Sequence, residues 1–225
     1  MVSLSCAELS TREINRALRE LSPGAEVTIY EPKGRHNLAV GLTNQINISI
    51  VGNAGYFVGG LGDGPDIDVD GFVGWSVGEN LMSGTIRVRG NASECAAATA
   101  HGGMVVVEGD ASSRAGISLK GGTLAVGGDV GHMSAFMAQA GTILVGGDAG
   151  EALGDSLYET VIYVGGKVRS LGSDARVEEL TEADIGRVEE LVSLSGLNHI
   201  DPQNVTRVAS ARELYNFDAL KSQSY

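Results

Sequence analysis

The sequence predicts an all-β solenoid, a right-handed parallel β-helix of seven 19-residue coils with short N- and C-terminal capping helices. Glycine recurs at a strict spacing of 19 residues, and an apolar pair precedes every one of these glycines. The chain contains 33 glycines among 225 residues and only 5% aromatic residues, so it needs a way of packing that relies on close backbone approach. The recurring glycines, called here the motif glycines, are Gly52, Gly71, Gly90, Gly109, Gly128, Gly147 and Gly166.

The apolar pairs predict one β-strand per coil with a single buried face, because side chains two residues apart share a face of a strand. In this register Val107 points inward, and its neighbour Val106 points outward, where threonine would be tolerated. Positions two, six and ten residues after each motif glycine add inward columns and one or two further strand segments. The pairs are Ile48/Ile50, Ile67/Val69, Ile86/Val88, Val105/Val107, Leu124/Val126, Ile143/Val145 and Ile162/Val164.

A 19-residue unit cannot bury its own apolar face, so successive copies must stack. The left-handed hexapeptide helix, with roughly 18 residues per coil, is set aside because 19 does not divide into hexapeptides. The motif glycines are expected at corners, either with positive φ or where neighbouring coils approach too closely for a Cβ. The Asn or Asp that follows five of them is expected to adopt a left-handed conformation and to bond back to its own chain. These five residues are Asn53, Asn91, Asp110, Asp129 and Asp148.

The segment before the repeat predicts an N-terminal cap. Ser10 and Glu13 form the pattern of a capping box, and an amphipathic helix follows. Strands are expected near residues 27–30 and 38–40, leading into the first coil.

The segment after the repeat predicts C-terminal helices. Thr181 is the expected N-cap of a second helix that ends at Gly196, and Asp201 with Pro202 is expected to open a short third helix. The chain therefore divides into an N-terminal cap with lead-in strands, the β-helix, and C-terminal helices with a docking tail, at residues 1–45, 46–175 and 176–225.

The composition favours a cytoplasmic protein. A formal net charge of −12 argues against binding to nucleic acid or to an anionic membrane, since both need basic patches. No apolar run approaches the length of a membrane span, and the polar N-terminus does not resemble a signal peptide. Cys6 and Cys95 lie far apart and lack metal-ligand spacing.

No catalytic, cofactor-binding or metal-binding residue is predicted in this chain, because the acids fall at corners and on flanking helices and the histidines are scattered. A few large apolar residues interrupt otherwise small-residue coils or concentrate in the tail, which is typical of protein interfaces. The candidate partner interface consists of Trp75, Met133, Phe136, Met137, Tyr158, Leu214, Tyr215 and Phe217.

The glycine spacing resembles a known family. Gly52-x-x-Gly55-x-x-x-Gly59 has the G-x-x-G-x-x-x-G pattern of the C-terminal domain of glutamate synthase large subunits, the GXGXG repeat domain, and the patterns that start at Gly71 and Gly147 match it as well. The β-helix subunits of formylmethanofuran dehydrogenases share this repeat. The length of the chain, its segment from Gly131 to Met137 and its tail are most similar to the β-helix subunits of N-methylglutamate synthases.

That resemblance implies a non-catalytic scaffold subunit of a methylamine–glutamate N-methyltransferase, which converts methylamine and glutamate to N-methylglutamate and ammonia. The partners implied are a glutamine-amidotransferase-like subunit and a synthase-like subunit that carries FMN and an iron–sulfur cluster, together forming a hetero-oligomer. Two alternatives remain at this point. They are a β-helix subunit of a formylmethanofuran dehydrogenase-type complex and a stand-alone β-helix polysaccharide lyase.

Overall fold

The computed structural model describes residues 2–213 and is a parallel β-solenoid with two short helices. The strands of the seven repeating coils are β3 to β9, and additional strands extend the sheet at both ends. In chain order the elements are β1 (Val2–Ser5), α1 (Thr11–Arg19), β2 (Glu26–Tyr30), β3 (Asn47–Val51), β4 (Asp63–Asp70), β5 (Ser83–Val88), β6 (Met104–Val107), β7 (Lys120–Val126), β8 (Ala140–Val145), β9 (Val161–Val164), β10 (Ala175–Glu178), α2 (Glu182–Ser195) and β11 (Thr206–Ser210).

Adjacent strands of the repeat pair in parallel, with equivalent residues side by side. Ile48 pairs with Ile67, and Ile67 pairs with Ile86 in the next coil. Every member of the seven predicted apolar pairs is at most 2% exposed, which confirms the register. Each such side chain contributes about 1.5–3 kcal/mol by leaving water, so the column of stacked pairs is a large part of the stabilisation.

The part of each coil that follows the motif glycine contains less regular strand than the sequence predicted. From the second coil onward, the inward residue two positions after the motif glycine forms a single parallel bridge to its equivalent in the adjacent coil, and no longer strand develops there. The bridged residues are Val73, Ala92, Ala111, Val130, Ala149 and Val168.

After each bridge the chain turns through alternating left-handed residues. In the second coil these are Ser76, Gly78 and Asn80, with φ between 55° and 66°. The N–H groups of Ser76 and Asn80 donate to carbonyls of the next coil, whereas the N–H of Gly78 donates to the preceding coil. A left-handed conformation costs roughly 1–2 kcal/mol for a residue with a Cβ, and these hydrogen bonds on both sides offset that cost.

Helix α1 covers the N-terminal end of the stack. Its predicted capping box is present, since the Ser10 side chain accepts from the Glu13 backbone and the Glu13 side chain accepts from the Ser10 backbone. Ile14 and Leu18 are fully buried and join the core of the solenoid. The apolar face of α1 therefore closes what would otherwise be an open coil.

The strand expected at residues 38–40 is absent. Asn37, Ala39 and Gly41 have φ between 57° and 62°, which is the same alternating turn that the later coils contain. The N–H of Asn37 donates to Tyr56 of the following coil, as the equivalent residues of the repeat do. A further coil therefore precedes the first motif glycine, and β1 and β2 extend the parallel sheet into this region.

Helix α2 begins and ends where the sequence predicts. Thr181 is its N-cap, and Gly196 ends it with φ 72°. The helix and the segment after it lie across the outer face of the sheet, where they cover Val106 and its equivalents in later coils. Val106 points away from the core, as predicted, but it is fully buried under this cover, which removes the reason to expect that it tolerates threonine.

The prediction of a short third helix at Asp201 and Pro202 is also wrong. Turns occupy this region, and the chain then enters β11. Strand β11 pairs antiparallel with β9, and β10 pairs antiparallel with β11, so the sheet order ends β9-β11-β10. The reversal of strand direction ends the parallel stack and leaves β10 as the edge strand.

Candidate interaction surface

The Asn or Asp side chain that follows five of the motif glycines bonds to the next coil. The N–H of Asp129 donates to Asp110 Oδ1 at 2.9 Å, and the N–H of Asp148 donates to Asp129 Oδ1 at 2.6 Å. Asn91 accepts in the same way from Asp110, and Asp148 accepts from Lys167. These side chains form a hydrogen-bonded ladder along one corner of the solenoid, which we call the corner ladder.

The corner ladder and the motif glycines depend on each other. A Cβ on Gly128 would overlap Asp110 Oδ1, and a Cβ on Gly147 would overlap Asp129 Oδ1. The side chain of one coil thus fills the space that a side chain on the next motif glycine would need. Close approach between coils is therefore the main reason for these glycines.

The backbone expectation for this corner needs correction. Among the seven motif glycines only Gly52 has a positive φ, at 114°. The Asn and Asp residues of the corner ladder do not adopt positive φ either, and they bond to the neighbouring coil instead of their own. Their carboxylate and amide oxygens satisfy backbone donors that point along the stack.

Phe72 interrupts the corner ladder. Asn53 accepts a hydrogen bond from the Phe72 N–H at 3.1 Å, so the ladder reaches this residue from the first coil. Phe72 has no side-chain oxygen, and it therefore offers no acceptor to the N–H of Asn91 in the next coil. Its ring is 55% exposed. At this position an exposed aromatic side chain therefore replaces the polar side chain that other coils use for the ladder.

A stack of aromatic rings lies in the same coils. The ring of His36 stacks on Tyr56 with centroids 4.1 Å apart, and Tyr56 stacks on Trp75 with centroids 5.1 Å apart. Tyr56 is 45% exposed and Trp75 is 50% exposed. One ring comes from each of three successive coils, so the solenoid itself fixes the stack.

A shallow groove of about 520 Å³ runs beside Phe72. Its wall is built mostly from small residues of the second and third coils, including Gly71, Gly90 and Ala92. Because these residues carry little or no side chain, the groove is open next to an exposed phenylalanine. We call Tyr56, Phe72, Trp75 and this groove the aromatic surface.

The corner that carries Phe72 becomes acidic towards the C-terminal coils. Asp110, Asp129 and Asp148 follow one another in the corner ladder, one per coil. Successive coils are about 4.8 Å apart, so the three carboxylates form a closely spaced acidic row. Phe72 and the acidic row thus lie on the same corner of the solenoid.

The structure separates the residues that the sequence proposed as a partner interface. Trp75 belongs to the aromatic surface, whereas Met133, Phe136 and Met137 lie three coils further along and Tyr158 one coil beyond them. Of these distant residues Met137 is 36% exposed, whereas Met133, Phe136 and Tyr158 are partly buried. The other three members of the proposed interface, Leu214, Tyr215 and Phe217, lie outside the described residues.

Sequence reasoning missed Tyr56 and Phe72 as members of the surface. The signal for Phe72 was present, because an aromatic residue stands where most coils have Asn or Asp directly after the motif glycine. Tyr56 carries no such signal, since its importance depends on stacking between Trp75 and His36.

Within residues 2–213 no group of three or more His, Cys, Asp or Glu side chains is arranged to hold a metal ion. Both cysteines are free thiols, and burial is the main reason that the pKa of Cys95 is raised. Neither helix of the described part of the chain is long and apolar enough to cross a bilayer.

A polar cluster fastens the C-terminal segment to the sheet. The Tyr163 hydroxyl donates to Asp184 Oδ1 at 2.6 Å, and Arg207 Nε donates to the same oxygen at 2.9 Å. Burial and the hydrogen bond to Asp184 raise the pKa of Tyr163 to about 12. Burial works against ionisation of Asp184, but hydrogen bonds from Thr181 and Tyr163 outweigh it and lower the pKa of this carboxyl.

Comparison with known proteins gives one informative relationship. Over 228 aligned positions the chain is 41% identical to protein GlxC of Rhizobium meliloti (strain 1021), and the match covers 100% of both chains. No protein-family model matches the sequence.

Proposed function

The chain belongs to the family of protein GlxC, and from that premise we propose that it is a scaffold subunit of a glutamate synthase-like complex. Within that class we propose N-methylglutamate synthase, in which methylamine displaces ammonia from the α-carbon of glutamate. The other subunits would be a glutamine-amidotransferase-like protein and a synthase-like protein that carries FMN and an iron–sulfur cluster. We place the complex in the cytoplasm.

The glycine repeat is the observation that carries this proposal. The G-x-x-G-x-x-x-G spacing resembles that of the glutamate synthase β-helix domain, and each of its positions has a physical task in this fold. The first glycine admits the corner ladder, and a Cβ at the second would clash with the preceding coil. The third lies in a left-handed turn, as Gly59 and Gly78 do with φ 66°.

The exposed aromatic side chains support a role in assembly. The coils stack and bury their own apolar columns without help from Phe72 or Trp75, which remain about half exposed. Large aromatic side chains are common anchors at protein interfaces, because they bury much area with little loss of conformational freedom. A rigid solenoid that presents such anchors is suited to hold other subunits in fixed positions.

The test is reconstitution of the complex. The chain would be co-expressed with a candidate amidotransferase-like and a candidate synthase-like subunit, and the purified assembly supplied with isotopically labelled methylamine and glutamate. We expect labelled N-methylglutamate by mass spectrometry, and we expect its formation to need all three proteins. As a control, the complex would be assembled without this chain.

Two results would contradict the proposal. One is full activity of the two other subunits in the absence of this chain. The other is stable association of the chain with subunits of a molybdenum or tungsten enzyme instead, which would favour the formylmethanofuran dehydrogenase-type assembly.

A further inference from the structure

The aromatic surface includes the position at which the corner ladder lacks a hydrogen-bond acceptor. At Phe72 the corner ladder loses an acceptor, and in exchange the ring stands 55% exposed. Both changes are unfavourable for the isolated chain, because a backbone donor loses a partner and an apolar ring meets water. Local rules of a fold are broken in this way mainly at functional sites.

We propose that the aromatic surface is the docking site for a different protein, whose face combines an apolar projection with a row of Lys or Arg side chains. The projection fits the groove beside Phe72, which has small-residue walls and a volume of about 520 Å³. The exposed rings of Tyr56 and Trp75, which stack on each other with centroids 5.1 Å apart, belong to the same coils as this groove. Anchors held by their own scaffold lose little freedom on binding.

Charge determines the chemistry of the partner. The acidic row of Asp110, Asp129 and Asp148 continues the corner that carries Phe72, and the whole chain has a formal net charge of −12. A partner seated in the groove and extending along this corner must face these carboxylates. Lys and Arg side chains along its contact face complement them and speed association at low salt.

The same charges disfavour a second copy of this chain as the occupant. Each copy carries a formal net charge of −12, and a twofold contact that sets two solenoids side by side in the same direction would place one acidic row near the other, which is repulsive. A row of guanidinium or ammonium groups is therefore expected on a protein of different sequence.

This inference rests on the proposed function, and the experiment separates the two. In cells of the source organism a photo-crosslinking phenylalanine analogue replaces Ser93, which lines the groove. In a control variant it replaces Leu194, which is 60% exposed on α2. Proteins crosslinked at the groove but not at α2 are identified by mass spectrometry, purified and titrated against the unmodified chain.

The decisive variant is Phe72→Asn, because asparagine supplies the missing acceptor of the corner ladder. We expect this variant to melt about 2–4 °C higher than the natural chain while binding the identified partner at least about tenfold more weakly. Leu194→Asn, which also removes an exposed apolar side chain, should leave binding unchanged. Binding of the natural chain should weaken as NaCl rises from roughly 0.05 to 0.5 M.

The outcomes are distinct. Capture of an amidotransferase-like or synthase-like subunit, with loss of binding in Phe72→Asn, supports both proposals. Capture of another protein with the same behaviour supports the docking site and overturns the proposed complex. The docking site is overturned if the groove captures nothing beyond the α2 control, if it captures a second copy of this chain, or if Phe72→Asn binds as well as the natural chain.

Discussion

At the scale of single residues, the fold depends on a coupling between a glycine and a polar side chain one coil earlier. Asp110 Oδ1 occupies the space where Gly128 would carry a Cβ, and it accepts a hydrogen bond from the N–H of Asp129. Neither residue can be understood alone, since the absence of one side chain makes room for the other.

This coupling predicts a non-additive double mutant. Gly128→Ala should destabilise the protein by about 1–3 kcal/mol, because the new methyl group collides with Asp110 Oδ1. Asp110→Ala should cost about 1 kcal/mol through the lost hydrogen bond. With Asp110 absent the collision disappears, so the double variant should be less destabilised than the sum by roughly 1 kcal/mol. Urea denaturation of the four proteins measures the difference, and strict additivity would show that the coupling is not real.

The residues with positive φ show why the turn in each coil could not be predicted from the sequence. Phe57, Ser76, Cys95, Arg114 and Met133 occupy equivalent places in successive coils, and all have φ between 53° and 64°. These residue types share no preference for positive φ, so no propensity reveals the turn. Hydrogen bonds from the neighbouring coils fix the conformation, and they exist only in the stacked structure.

At the scale of elements, α2 acts as a cover on the outer face of the sheet. Val106, Ala125, Leu144 and Tyr163 form an apolar column on that face, and Val188 and Leu191 of α2 are among the residues packed against it. Within residues 2–213 no helix packs on the outer face of β3, three strands earlier, and Val51 there is 42% exposed. Outward-facing side chains of the sheet therefore have different environments along the stack.

This difference predicts opposite results for the same substitution. Val106→Thr should destabilise the protein by about 1–3 kcal/mol, because the hydroxyl enters an apolar cluster without a partner. Val51→Thr, on the uncovered part of the same face, should change the free energy of unfolding by less than about 0.5 kcal/mol. Chemical denaturation of both variants tests the assignment, and equal effects at the two positions would argue against the docking of α2.

The cluster of Tyr163, Asp184 and Arg207 predicts how docking of α2 depends on pH. Because the pKa of Tyr163 is raised to about 12, its contribution is complete below the ordinary value of 10.0 and is lost as pH rises through about 12. The pKa of Asp184 is lowered, so its contribution is present above the ordinary value of 3.8 and is lost as pH falls through the lowered value.

Hydrogen exchange or limited proteolysis of α2 across this range would detect the loss of docking. We expect the cover to open between about pH 10 and 12, while the parallel sheet stays protected. In the variant Tyr163→Phe the alkaline step should disappear. A step of the same size in that variant would mean that another group causes it.

At the scale of the whole molecule, the solenoid is a stack of interchangeable units whose neighbours supply nearly all contacts. Such proteins can lose one unit and keep the rest, provided that the register of the stack is preserved. The second coil is the most informative unit to remove. It contains Phe72 and Trp75, and its removal would join Gly71 to Asn91, which restores an unbroken corner ladder.

Deletion of residues 72–90 removes 19 residues and should give a folded protein with one coil fewer. We expect a β-rich circular dichroism spectrum and cooperative thermal unfolding. Deletion of residues 72–89 is the matched control, because it shifts the register by one residue and turns the following apolar pairs towards solvent. Cooperative folding of the control together with collapse of the 19-residue deletion would refute the repeat as the unit of the fold.

The sequence by itself determined the period, the inward columns and the helix caps. Each of these is a local or strictly repeating signal: the apolar pairs at Ile67 and Val69, the glycine spacing, the capping boxes at Ser10 and Thr181. Stacking identical units multiplies such a signal, since one register must satisfy every coil at once.

Only the tertiary structure decided the features that depend on which distant segments meet. The burial of Val106 under α2, the insertion of β11 beside β9, and the stack of His36, Tyr56 and Trp75 all join residues through space. The same is true of the corner ladder, where an oxygen of one coil takes the place of a side chain in the next. Contacts of this kind leave no local periodicity in the chain, because the energy that selects them arises only when the coils have already stacked.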